Sequence, residues 1–445
     1  MLIMSFSLIL HSSSFRSLAI FILLFIIISS AYVLSGERRR SSSPSAPSIR
    51  HALMKIKTRT PPDMSLMLSE DPHMFSVVPR HFLPEVKNPC WYEEYHGDGS
   101  SDPYASNLFG HYFHHMRGVF QRLRRTFTKH LRVGDGGELY RFRCLPYFYI
   151  IGQPKCGTTD VFNRLRLHPD VRLASLKEPH WWSRKRYGIM GSAGGVHTHY
   201  GLQDYLDLFD LAAADIQDSS SHIITGEGSA STMWDNNAWF HLHDNSTEAE
   251  PPLLNQDFIH GLQPDARLIV ILRDPVERLY SDYLYFGVSD KSSDDFHVKV
   301  SESVMMFNGC VQHSSLRSCV YNRTLYNAMR VRLQVGLYVV YIVDWLSVFS
   351  SDQLFVLRLE DHAVNTSHSM HRIFSFLQLG AISEEKEREI ISRPTSNSRR
   401  PSDRNIGPMR PVTRQLLHDF YSPFNQKLSE VLQDESFMWS RRSSY

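Results

Sequence analysis

The sequence YFYIIGQPKCGTTD, Tyr147–Asp160, starts as a strand and ends as a helix, with a glycine-bearing loop between them. Its aromatic and β-branched opening, Tyr147–Ile151, has the composition of a buried strand. The helix continues through DVFNRLRLH, Asp160–His168. Gly152 and Gly157 keep the spacing of the nucleotide-binding loop G-x-x-x-x-G-K-[ST], but the lysine is displaced. Lys155 precedes the second glycine, and Thr158 stands where a lysine would follow it. Backbone N–H groups of such a turn, backed by a helix N-terminus, form an oxyanion site, and the Thr158 and Thr159 hydroxyls add donors. In a phosphoryl-transfer loop the lysine reaches the β- and γ-phosphates and the Ser/Thr holds Mg²⁺. Moving Lys155 to mid-loop aims its ammonium at a different atom. Neither a kinase Gly-rich loop nor an H-R-D sequence accompanies it. Two readings stand: a kinase with an altered loop, or a transferase of a group carrying less charge at its centre, such as sulfuryl.

Strand and helix signals alternate downstream. HIITGEG (His222–Gly228), ARLIVILRD (Ala266–Asp274) and LFVLRLED (Leu354–Asp361) have strand composition. PVERLYSDYLYF (Pro275–Phe286) predicts a helix with proline in its first turn. LQVGLYVVYIVDWLSVF (Leu333–Phe349) predicts one long apolar helix, assigned to the core because Arg332 precedes it and Asp344 lies within it. SMHRIFSFLQLG (Ser369–Gly380) predicts a helix ending in glycine. The alternation predicts an α/β fold, a central mainly parallel sheet flanked by helices. Upstream, Met116–Arg132 has helical spacing at Met116, Val119, Phe120, Leu123, Phe127 and Leu131. Its other face carries Arg117, Arg122, Arg124, Arg125 and Lys129, either a solvated face or a surface for a polyanion.

The chain has 445 residues, 42% hydrophobic, with a formal net charge of +2, too balanced to indicate a nucleic-acid partner. Its 23 histidines are scattered without metal-ligand spacing, so no metal site is expected. LAIFILLFIIISSAYVL, Leu18–Leu34, is uncharged and near the lower length limit for a membrane span; a cleaved signal peptide is the alternative. The expected division is a tail (1–17), a signal-anchor span (18–34), a stem (35–89) and a catalytic domain (90–445). Arg38–Arg40 after the span argues for a cytosolic location of the downstream chain. Sequons at Asn245, Asn322 and Asn365 argue for a lumenal one. So do the cysteines: Cys156 lies in the loop and is expected free, while Cys90, Cys144, Cys310 and Cys319 allow two disulfides. Three connectivities are open, with Cys310–Cys319 the local pair.

PKCGTT after a strand resembles the 5′-phosphosulfate loop of sulfotransferases that use PAPS, 3′-phosphoadenylyl sulfate. LRDPVERLYSDYLYF resembles their 3′-phosphate-binding strand–helix. Together with KEPHWW, SASTMWDNNAW and RRPSDRNIGPM, these runs are similar to a glycosaminoglycan branch of that superfamily, over roughly residues 90–440. The branch places a sulfuryl group on the 6-hydroxyl of N-acetylgalactosamine 4-sulfate in chondroitin or dermatan sulfate. The resemblance implies a P-loop-like sulfotransferase fold, PAPS as donor, no metal, and a single-pass type II Golgi membrane protein with a lumenal catalytic domain. A homodimer stays open, as does another glycan or ring position, or a glycan-binding relative without activity.

The resemblance also implies residue roles. Lys155 would stabilise charge on the leaving phosphate, with Cys156, Gly157, Thr158 and Thr159 around the 5′-phosphosulfate. Arg273 and Ser281 would hold the 3′-phosphate; the bland reading of Arg273 is an ion pair with Asp274 or Glu277. Arg399, Arg400 and Arg404 would close over the nucleotide. In SLKEPHWWSRKRYG (Ser175–Gly188), Glu178 would be the base, His180 the alternative base and Lys177 its partner. Trp181, Trp182, Arg184 and Arg186 are the acceptor candidates, by stacking and by charge; packing is the bland reading of the tryptophans.

Overall fold

The computed structural model describes residues 58–97, 99–189, 198–219, 222–238, 250–287, 291–396 and 399–439. The expected span at 18–34 and the Asn245 sequon lie outside the described residues. Among the described residues no helix is long and apolar enough to cross a membrane.

Strands β1 (Cys90–Tyr95), β2 (Leu131–Val133) and β3 (Leu139–Cys144) form a small antiparallel sheet in the order β1–β3–β2. The main sheet is parallel, in the order β5–β6–β4–β7–β8. Its strands are β4 (Phe148–Gly152), β5 (Val171–Leu173), β6 (Ile224–Gly228), β7 (Arg267–Leu272) and β8 (Leu354–Arg358). The helices that position the site and its surroundings are α1 (His114–Thr126), α2 (Thr158–Leu165), α3 (Pro275–Phe286), α4 (Ser293–His313), α5 (Tyr338–Trp345), α6 (Leu359–Val364), α7 (Thr366–Phe376) and α8 (Pro411–Leu432). Alternate residues of the sheet, Phe148, Ile150, Ile224, Ile269, Ile271 and Leu357, pack with Val161, Phe162 and Leu165 of α2 and Ile373 and Phe374 of α7. The intervening Tyr149, Ile151, Leu268, Val270 and Leu272 are buried as well. A sheet covered on both faces reads as continuous apolar runs, and that is why β4, β7 and β8 were evident as such runs, whereas β6 carries Thr225 and Glu227.

Four expectations change. The predicted helix Leu333–Phe349 is a 3₁₀ turn, Leu333–Gly336, followed by the shorter α5. The Tyr421 hydroxyl of α8 donates to the Leu333 carbonyl (2.7 Å), the group a continuous helix would bond to residue 337. Its ring also lies so close that a Cβ on Gly336 would meet it at 2.8 Å. The predicted helix Met116–Arg132 starts at His114 and stops at Thr126, because Leu131–Val133 pairs with β3. The strand Leu354–Asp361 ends at Arg358, where α6 begins.

Last, packed structure starts before residue 90. Arg59 pairs with the buried Asp257, Met67 and Met74 are buried, and Asn88 bonds the backbone of Ile223 (2.5 Å) and Thr225 (2.8 Å). Residues 58–89 are therefore part of the globular unit rather than a free stem. Of the three disulfide connectivities, the chain adopts Cys90–Cys144, joining opposed residues of β1 and β3, and Cys310–Cys319. Cys156 is free and buried.

Candidate active site

The loop after β4 and the N-terminus of α2 supply the anion cradle. Gly157 is the N-cap residue, with φ 87°, and a Cβ there would come within 2.7 Å of Leu359. That backbone conformation favours glycine, and a Cβ would also displace the Leu359 side chain. No side chain caps α2; the Asp160 N–H turns back to the Gly157 carbonyl (2.9 Å), and the Thr158 and Thr159 N–H groups and the positive dipole end remain for a ligand. Thr158 is buried and Thr159 partly so. Burial pushes the Cys156 thiol up to about 12, so it is a neutral packing group beneath the loop.

Lys155 also has positive φ, 67°, unusual for a residue with a side chain. Its ammonium stands 3.5 Å from the centroid of the Tyr285 ring of α3, which is 43% exposed. Burial lowers its pKa; the charge of Asp282 opposes this, and those of Arg273, Arg400 and Arg332 lower it further. Arg273 follows β7 and donates weakly to the Lys155 carbonyl (3.5 Å), with Glu277 at 4.0 Å. The ion pair expected as the bland reading of Arg273 is thus present at long distance, and the side chain also reaches the loop. Ser281, two turns into α3, is partly exposed. Arg400 lies over the Tyr285 ring (4.8 Å) and Arg399 over Tyr280 (5.4 Å), whereas Arg404 is exposed and bonds the Arg399 carbonyl (3.1 Å). The segment leading to them is tied to α2, where Asp160 accepts from the Ser396 N–H (2.9 Å), Arg164 (2.6 Å) and His362 (3.1 Å).

Arg332 was not anticipated by sequence reasoning. It is bound twice by Asp282, once at 2.8 Å, and lies over the exposed Phe286 ring (4.3 Å). A lone arginine before an apolar run gives no signal of this placement.

A second cluster surrounds Glu178, which with His180 also has positive φ, 58° and 52°. Non-glycine residues in this region cost about 1–3 kcal/mol each and gather at functional sites. The carboxylate accepts from Lys177 and lies 3.3 Å from His180 Nε2. Burial alone would raise its pKa, but the His180 hydrogen bond and the Lys177 charge hold it down at about 2. The pairing of Glu178 with Lys177 is present, and it leaves the carboxylate ionised.

The segment Ser229–Asp235 connects the two clusters. Ser229 Oγ accepts from the His180 N–H (3.1 Å) and Ser231 Oγ meets His180 Nδ1 (2.7 Å). Met233 N–H donates to the Ile151 carbonyl of the cradle strand (2.9 Å), and Asp235 accepts from Arg184 Nε (2.6 Å). Sequence reasoning quoted this run only as a resemblance; its positioning role appears in the contacts.

The aromatic acceptor candidates are corrected. Trp181 and Trp182 are each 2% exposed, stacked or edge-on to Tyr205, with their indole N–H groups bonded to Tyr200 O (3.0 Å) and Tyr205 Oη (3.0 Å). Arg186 is buried against Phe258, 4.1 Å from its ring centroid. These three form the floor of the Glu178 loop and offer a sugar no free face. Arg184 stays partly exposed.

Beneath Glu178 lies Glu227 of β6, fully buried. Burial pushes its carboxyl up to about 7; a hydrogen bond with Ser229 opposes this and the Glu178 charge adds to it. A raised folded-state pKa means the folded chain binds more protons than the unfolded one, so stability falls as pH rises from the ordinary carboxylate value through about 7. Glu178 acts in the other direction and in a separate window, losing its stabilisation as pH falls below the ordinary value toward about 2. Glu227→Gln should therefore flatten the decline of the unfolding midpoint between pH 5 and 8, removing up to about 1.4 kcal/mol per pH unit. Parallel profiles for the two proteins would refute the assignment.

Residues 146–406 match the sulfotransferase domain family. The chain belongs to that family: it is an enzyme that moves a sulfuryl group, and the family's donor is of the PAPS type. Among curated proteins it is similar to carbohydrate sulfotransferase 15 of Homo sapiens, 56% identical over 397 residues, 87% of this chain and 71% of that one. The Mus musculus protein of the same name is 55% identical over 87% of this chain and 71% of its own length. More distant is heparan sulfate glucosamine 3-O-sulfotransferase 3B1 of Mus musculus, 26% identical over 64% of this chain and 63% of that protein. This places the chain among carbohydrate sulfotransferases. The residues present fit a phosphosulfate donor: a helix N-terminus without a side-chain cap, and Lys155, which forms no ion pair among the described residues and stands near the charges of Arg273, Arg400 and Arg332.

Proposed function

We propose that the chain transfers a sulfuryl group from PAPS to the 6-hydroxyl of N-acetylgalactosamine 4-sulfate in chondroitin or dermatan sulfate. The observation that carries the mechanism is the bridge Ser229–Asp235, which bonds both the cradle strand and the His180–Glu178 pair. In this reading the acceptor oxygen attacks sulfur, the bond from sulfur to the 5′-phosphate oxygen breaks, and the hydroxyl proton goes to the Glu178 carboxylate. Lys155 meets the charge gathering on the leaving phosphate. The α2 N-terminus with Thr158 and Thr159 holds the 5′-phosphate, and Arg273 with Ser281 the 3′-phosphate. The resemblance of the long runs to the 6-O-sulfotransferase branch supports the acceptor. Arg184, paired with Asp235 through Nε and still 20% exposed, is a cation in the loop that carries Glu178 and could meet the 4-sulfate.

The reading includes a lumenal catalytic domain on a Golgi anchor at residues 18–34. Two disulfides suit an oxidising compartment. Asn322 and Asn365 are exposed helix caps that accept through Oδ1, which leaves each Nδ2 for a glycan.

Labelled PAPS supplied in parallel with chondroitin, chondroitin 4-sulfate and chondroitin 6-sulfate tests the acceptor. Label is expected mainly in chondroitin 4-sulfate, recovered as a 4,6-disulfated disaccharide. Label in a different disaccharide reassigns the position, and label in none of the three removes the acceptor class.

A further inference from the structure

We propose that the exposed face of α1 is a docking track for the anionic glycan chain beyond the reacting sugar. It rests on the acceptor class proposed above and adds where the rest of that chain lies. The buried side of α1 is Met116, Phe120 and Leu123. Arg117, Arg122 and Arg125 are exposed on the other side. Arg122 and Arg125 form no ion pair among the described residues, while Arg117 and Arg124 give their hydrogen bonds to carbonyl oxygens of Gly110, His111 and Ser100. A carbonyl satisfies a donor without neutralising its charge. From His111 to Gly134 the sequence contains no acidic residue.

An ordinary solvated helix face looks different in this same chain. Residues Glu384–Ser392 pair Lys386 with Glu389 and Arg388 with Glu384, and α8 pairs Lys427 with Glu430. Like charges one turn apart destabilise a helix, so arginines left without counter-charges on α1 carry a cost that those pairs avoid. A polyanion removes that cost and releases counterions on binding.

Position gives the track its direction. Phe113 is the N-cap residue of α1, and its ring lies 5.6 Å from the Lys185 ammonium, in the loop that carries Glu178 and His180. The arginines run away from that loop, Arg117 to Arg125 spanning about 12 Å of helix axis. At the far end Asp218 takes Lys129 and His130, which closes the unneutralised stretch.

The test is the double charge reversal R122E/R125E, with K386E/R388E as a control of equal charge change elsewhere. Arg122, Arg125 and Arg388 are exposed and Lys386 partly so, and unchanged unfolding midpoints verify the fold. With polymeric chondroitin 4-sulfate at low salt, R122E/R125E should raise KM about tenfold at constant kcat and flatten its salt dependence. Kinetics on a tetrasaccharide acceptor should not change, and the control should behave as wild type. Equal polymer KM in R122E/R125E and wild type overturns the track. So does a loss confined to binding of vesicles containing anionic lipid, which would make α1 a membrane surface. If wild type sulfates none of these acceptors, the acceptor reading has failed, and anisotropy of a fluorescent chondroitin sulfate polymer still decides the track: weaker binding by R122E/R125E supports it, unchanged binding overturns it.

Discussion

Lys155→Ala is expected to lower kcat about 10²–10³-fold, the usual cost of removing one group that stabilises charge in the transition state. The same substitution should leave the unfolding midpoint of the donor-free protein unchanged or higher. The ammonium is partly buried beside Arg273, Arg400 and Arg332, opposed by the charge of Asp282, so removing it relieves repulsion. Its contact with the Tyr285 ring contributes about 0.5–2 kcal/mol and is easily given up to an anion. Binding of the spent nucleotide, measured by calorimetry, should weaken far less than kcat falls, since in the proposed reading other groups anchor both phosphates. A fall in kcat with binding largely retained marks a group acting in the transition state. The pH profile adds a check. Because the folded-state pKa of Lys155 is lowered, the alkaline limb of kcat/KM should lie below the ordinary lysine value, and donor anions should move the limb of kcat upward. Lys155→Arg should abolish that limb. A Lys155→Ala enzyme with wild-type turnover would end the leaving-group assignment.

The donor side of this site was legible in the sequence because backbone geometry dictates it. A strand, two glycines at fixed spacing and a helix start leave few options, and α3 has the predicted ends, Pro275–Phe286. The acceptor side was less legible, because exposure rather than residue type separates a sugar platform from a floor. Trp181 and Trp182 have the chemistry of the first and the burial of the second. The positive φ of Lys155 and Glu178 left no trace in composition, since neither is a residue type that favours it. Arg332 and Asp282 come together across 50 residues, and Ser231 with His180 across 51. Periodicity reports on neighbours along one element and is silent about such pairs. For the same reason the apolar run Leu333–Phe349 looked continuous: its interruption comes from Tyr421, 88 residues from the carbonyl it takes.

Glu178→Gln is expected to cost about 10²–10⁴ in kcat, the range for losing a positioned general base. The amide matches the carboxylate in size and faces the same φ of 58°, so the loop should keep its form, and nucleotide affinity should stay close to wild type. A carboxylate held at about 2 looks a poor base for a sugar hydroxyl. The difficulty lessens along the reaction coordinate: as the acceptor oxygen bonds to sulfur, its proton becomes strongly acidic, so a weak base suffices if it is already ionised and in place. Lys177 and His180 provide that readiness, at the expense of basicity. Lys177→Met should therefore raise the pKa of Glu178 and bring an acid limb into the range where wild-type activity is flat. His180→Asn separates the two candidate bases. With Glu178 as base, His180 orients it, bonded in turn to Ser231, and its loss should be milder than that of the carboxylate. A dead His180→Asn beside a Glu178→Gln enzyme within a few-fold of wild type would transfer the proton-accepting role to the imidazole.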